Sequence, residues 1–221
     1  MTQATSQIAA DIDQVQRLLG AGKLEDAQTL IDNILAESPD DANALYTFAV
    51  IQRLKKQHLD ALKTLDQVLQ QQPKLARAYQ ERALNELSLN NPMPAGKALE
   101  AAVALDPSLL KSWTLLVPLY KASGSSKAIQ AQEQVDFLKT LPSELLAAIS
   151  YLSADRLLDA ERVCRAFLRE NKTHVEGMRL LAEIATRNNI LEDAEFLLES
   201  VISFEPNHLD GNIQYAHILL R

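Results

Sequence analysis

A chain of 221 residues with 47% apolar content can bury a sizeable core, and only 6 Gly and 8 Pro leave few turns, so helices are expected to dominate. A net charge of -7 without a cluster of Lys and Arg argues against nucleic acid and anionic membrane surfaces as partners, and no apolar run approaches bilayer-spanning length. The single cysteine, Cys164, excludes an internal disulfide framework, and with no basic leader before Arg17 the expected location is the cytoplasm.

Residues 8–41 read as two helices. Ile12, Val15 and Leu19 stripe the first, one residue out of step with later helices, as suits an end unit. Gly20 and Gly22 form the joint, LEDA (24–27) opens the second helix, and Pro39 ends it, because proline has no N–H to donate and biases its predecessor away from the helical region. In residues 42–75, Leu45, Phe48 and Ala49 stripe one helix, and Ala61, Leu65, Val68 and Leu69 the next, before Pro73. Residues 76–109 repeat this with Ala83, Ala95 and Pro107. Residues 110–140 are three too few, carry Val117 and Ile129 where the alanines stand, and place Pro118 inside the first helix, where it should kink. A bend or boundary near 110–142 is expected, giving two regions, 1–140 and 141–221. Residues 141–174 and 175–208 resume the pattern with Ala148, Ala160, Ala182, Ala194 and Pro206, and Leu209 to Leu220 reads as a lone further first helix.

The alanines keep a fixed step: Ala27, Ala61 and Ala95 recur every 34 residues, as do Ala160 and Ala194. Twelve residues before most of them stands a second small residue, giving the pairs Ala49/Ala61, Ala83/Ala95, Ala148/Ala160 and Ala182/Ala194. Small side chains at facing positions let the two helices of a hairpin approach closely. Acidic residues such as Glu25 and Asp26 lie in the first turn of the second helix, where they favour its dipole.

With its 34-residue step, small residues at the eighth and twentieth positions of each unit and proline at the thirty-second, the chain resembles the tetratricopeptide repeat family. That resemblance implies an all-α fold, a right-handed superhelical solenoid of helix-turn-helix repeats. Residues 157–221 also resemble, more narrowly, the repeat region that precedes a sulfotransferase domain in bacterial two-domain proteins. This second likeness implies an accessory, substrate-positioning role beside a C-terminal domain of the same gene product, and so a chain that is a fragment.

No catalytic constellation is visible. His58, His174, His208 and His217 are scattered, with no metal-ligand pair at helical spacing, and no Gly-rich phosphate loop exists. Cys164 follows Ala160 on the inward stripe and reads as core, and Trp113 reads as packing. The chain is therefore expected to be no enzyme, with no cofactor and no metal. Binding remains. The repeat family's peptide-contacting positions map here to Tyr46, Val50 and Arg53, to Arg77, Gln80, Leu84 and Leu87, and to Lys111, Thr114 and Lys121. They continue at Leu145, Ile149 and Leu152, then at Arg179, Glu183 and Arg187. The family's carboxylate clamp of Lys and Asn has no counterpart in any unit. The expected partner is a peptide or protein ligand, with self-association through 209–221 favoured by Ile218, Leu219 or Leu220 standing partly open to water.

Overall fold

The computed structural model describes residues 3–220, with side chains described from Gln7 onward. Those residues form thirteen α-helices: α1 (Gln3–Gly20), α2 (Leu24–Glu37), α3 (Ala42–Leu54), α4 (His58–Gln71), α5 (Ala76–Ser88), α6 (Pro92–Leu105), α7 (Leu110–Ala122), α8 (Lys127–Thr140), α9 (Ser143–Ser153), α10 (Leu157–Glu170), α11 (Val175–Arg187), α12 (Leu191–Phe204) and α13 (Leu209–Leu219). The fold is an all-α repeat solenoid. It divides into two compact units, one holding α1–α6 with Pro118–Ser125, the other Asp106–Val117 with α8–α13. The sequence pattern expects two regions, 1–140 and 141–221; one of the breaks between the compact units falls within α7, at Pro118, the residue that interrupts the repeat.

The alanine pairs do what their size allows. Ala49, Ala61, Ala83, Ala95, Ala148, Ala160, Ala182 and Ala194 are all fully buried, and the helices that carry them pack as close pairs. In the first hairpin the fully buried Val15 of α1 stands twelve residues before the equally buried Ala27 of α2, so the end unit keeps the register with a larger side chain. Residues 110–140 correct the expected pairing. Ile129 is 71% exposed, whereas Ala131, Val135 and Leu138 are buried at the same intervals as Ala61, Leu65 and Val68. The short unit has extra residues in its turn and fewer after it, so its alanine comes two positions late.

Three local devices recur and fix the stack. The six turns that join first to second helices each contain one residue in the left-handed region: Gly22, Lys56, Asn90, Gly124, Asp155 and Asn189, with φ between 56° and 73°. Each punctuating proline (Pro39, Pro73, Pro107, Pro206) stands two residues past the end of its helix. The carbonyls of three of them accept a side-chain bond from the next first helix: from Tyr79 Oη to Pro73 at 3.2 Å, from Trp113 Nε1 to Pro107 at 2.9 Å, and from Asn212 Nδ2 to Pro206 at 2.9 Å. Trp113 thus orients α7 as well as packing. The first helices also carry side-chain caps: Asp41 accepts from the N–H groups of Asn43 and Ala44, and His174 and His208 accept through Nδ1 from Gly177 and Gly211. A β-carbon on Gly211 would meet Val201 Cγ1 at 2.6 Å, so the His-x-x-Gly spacing at 208–211 also admits the close approach of α12.

Candidate peptide-binding face

In the first unit, Tyr46, Val50 and Arg53 stand at intervals of four and three residues on α3, and so share one face of that helix. Arg77, Gln80, Leu84 and Leu87 occupy α5. The two helices are tied by a residue that the sequence reading passed over, Glu81. Its carboxylate is buried and receives the Arg53 guanidinium, Nε to Oε2 at 2.5 Å. The Tyr46 phenol lies within the fields of Glu81, Arg77 and Arg53. Burial first, then Glu81, pushes it up to about 12, against the lowering influence of the two arginines. Val50, Gln80 and Leu84 are half-buried, and Arg77 is exposed beside them.

A second polar layer holds this face in place. Asn85 is fully buried, donates from Nδ2 to the Glu81 carbonyl at 2.9 Å, and meets His58 Nδ1 through Oδ1 at 3.0 Å. Thr64 donates to Gln52 Oε1 at 2.8 Å across the α3–α4 pair, one turn from the alanine contact. Buried polar groups joined in this way fix the rotation of each helix about its axis, because a turn of either would leave them unpaired.

The second unit treats its mapped residues differently. Lys111 and Thr114 are exposed, and the Thr114 hydroxyl donates to the Leu110 carbonyl. Leu145 and Leu152, expected to line a binding wall, are core residues packed with Cys164, Leu180 and Ile184, and only Ile149 of that trio stays half open. The cations are captured within the chain. Arg179 makes a forked pair with Glu176 at 2.6–3.0 Å and reaches Glu183 at 3.5 Å. Burial opposes the charge of Arg179, but the bond and field of Glu176 outweigh it and leave the pKa raised. Arg187 binds Glu183 at 2.7 Å and the Leu152 carbonyl at 3.0 Å, and His208 Nε2 lies 3.5 Å from Glu176. The arginines mapped to this face, Arg179 and Arg187, are here part of a neutralised network, because carboxylates three and four residues away on the same helix reach them first.

Among the described residues, no group of three or more His, Cys, Asp and Glu could hold a metal ion, and no helix is long and apolar enough to cross a membrane. Cys164 is buried, and burial pushes its thiol up to about 12, partly offset by Arg179.

Comparison with known proteins agrees with this architecture. Tetratricopeptide repeat family models match residues 18–87 and 145–206. No curated protein matches the chain. Similar solved structures include that from the functional characterization of Pseudomonas aeruginosa pilF, at 17% identity and a TM-score of 0.57, with 98% of this chain and 100% of that one covered. The APC/C hetero-tetramer Cut9-Hcn1 is similar at 14% identity and 0.53, covering 96% of this chain and 42% of that one. Naa15/Naa10 bound to HypK-THB follows at 15% and 0.53, covering 96% and 39%. The chain thus spans less than half the length of the latter two. At these identities the likeness is one of fold, and the narrower resemblance of residues 157–221 to sulfotransferase-linked repeats finds no support in it.

Proposed function

We propose that this chain, which belongs to the tetratricopeptide repeat family, is a non-catalytic scaffold that binds a peptide or protein segment on the first-helix face of α3 and α5. The observation that carries the reading is the Arg53–Glu81 pair at 2.5 Å. It sets half-buried Tyr46, Val50, Gln80 and Leu84 around a held ion pair, with Arg77 exposed beside them. Such a face offers apolar contact for alternate side chains of an extended ligand, with polar groups to orient its backbone. Arg77 adds attraction for an acidic group. On the second unit Lys111 and Thr114 are exposed, whereas Arg179 and Glu183, already paired, present hydrogen-bonding edges in place of free charge. Two of the similar folds, in the Cut9-Hcn1 hetero-tetramer and in Naa15/Naa10 bound to HypK-THB, are parts of protein assemblies, which favours an interaction role.

The test is a comparison of the whole chain with its Val50→Asp/Leu84→Asp form as bait in extract of the source cells. Loss of a specific captured protein from the double variant, with the helical signal unchanged, supports the reading. The same captured set on both forms refutes it.

The terminal helix offers a second contact, to another copy. Ala216 of α13 is exposed, whereas the alanines at the same position of α3, α5, α9 and α11 are fully buried. Leu219 and Leu220 stand beside it at 59% and 84% exposure, while Ile218 is buried against Ala182, Ala185, Ala194 and Leu198. Self-association through 209–221 would cover that surface; Arg221 itself lies outside the described residues.

A further inference from the structure

In the sixth repeat unit, residues 175–208, two positions are apolar that are polar in the other regular repeat units. The residue that immediately precedes the second helix is Lys23, Gln57, Asn91 and Arg156 in four units, but Ile190 in the sixth. Two residues after the helix's small residue come Thr29, Lys63, Lys97 and Arg162, but Phe196 in the sixth. Ile190 is 43% and Phe196 69% exposed, so neither substitution serves the core. Both line one pocket of about 260 Å³ between α10, α11 and α12, floored by the buried side chains of Leu181, Ile184 and Ala185. An apolar cavity of roughly 150 Å³ already takes a benzene ring, so this pocket can receive a large aromatic or branched side chain.

Its rim is acidic. Asp193 lines the mouth and Glu192 is exposed next to it; among the described residues neither makes an ion pair. The one cation there, Arg165, is already held by Glu161 at 2.7 Å. No Lys or Arg occurs in α12 to offset them. An incoming segment therefore meets an apolar socket with uncompensated negative charge beside it, and the matching chemistry is an apolar anchor flanked by Lys or Arg.

From this geometry we infer that the sixth unit carries a separate docking site for a basic protein segment, with one aromatic or aliphatic anchor seated between Ile190 and Phe196 and its cations on Glu192 and Asp193. The site uses none of the residues of the α3–α5 face.

A displayed library of random twelve-residue peptides, panned against the full chain, tests it. The enriched peptides are expected to carry an anchor next to Lys or Arg. They should bind at least tenfold more weakly to Ile190→Gln/Phe196→Lys, which supplies the residues found at these places (Gln57 and Lys63) in the repeat at 42–75, and to Asp193→Lys. Replacing the anchor by Ala should abolish binding, and Val50→Asp should leave it unchanged. Both variant sites are on the surface, and an unshifted melting midpoint verifies their fold. The inference is overturned if no enriched peptide depends on Phe196 and Asp193, if the dependent peptides are acidic, or if their binding follows Val50 instead.

Discussion

Replacing Ala61 by Leu tests the packing logic at its tightest point. Ala61 and Ala49 are both fully buried, so three added carbon atoms have no space unless α3 and α4 part. Overpacking of this kind costs about 1–3 kcal/mol. One turn away, Thr64 and Gln52 share a buried 2.8 Å hydrogen bond, which parting the helices would break. Leaving that oxygen unpaired adds about 1–3 kcal/mol. Together these give about 2–6 kcal/mol, a fall of roughly 4–24 °C in the transition that reports the first unit, at about 2–4 °C per kcal/mol for a chain of this size. Thermal melting followed at 222 nm reads it. Ala61→Gly is the control, since it opens no clash and costs about 1 kcal/mol through helix propensity alone. If Leu leaves the midpoint unchanged, or costs no more than Gly, the two faces do not meet at Ala61 and the close-packed alanine account is wrong.

Three further outcomes follow from particular residues. Lys56 holds φ 63° where other turns use Gly, Asn or Asp; Lys56→Asn should stabilise by about 0.5–1 kcal/mol, and a lowered melting midpoint would contradict the turn argument. Cys164, its thiol raised to about 12, should resist a thiol reagent at pH 8 until denaturant is added. Because the folded value lies above the unfolded one, its contribution to stability is whole below about pH 8.5 and declines as pH rises toward 12, a decline that Cys164→Ala should lessen; rapid native labelling would refute its burial. Sedimentation should show concentration-dependent association weakened by Leu219→Glu/Leu220→Glu, and a chain that stays monomeric at high concentration would remove the contact.

The hairpins were legible because their cause is steric and periodic. A leucine cannot stand where Ala61 meets α3, and a proline cannot continue α4, so both leave letters at fixed intervals. Ile129 misled because the rule counts residues from Val117, and extra residues in the turn after Gly124 move the buried alanine to 131. On the proposed face, the sequence places Tyr46, Val50 and Arg53 along one side of a helix but hides the partners of the charges. Arg53 and Arg179 look like free cations until Glu81, 28 residues on, and Glu176, three residues back, are seen beside them. The caps at His174 and His208 were hidden for a different reason, since a histidine ahead of a helix carries no fixed role until its ring nitrogen is placed on a glycine N–H. Ile190 and Phe196 stand out only once the units are aligned.

The claim that the α3–α5 face receives a protein segment is tested most directly by a photoreactive amino acid placed at Val50, with a control at the exposed Gln67 of α4. In extract of the source cells, the full chain should crosslink from position 50 to one defined segment of another protein, identified by mass spectrometry, and not from position 67. Crosslinks of equal yield from both positions, or none from position 50, would contradict the account.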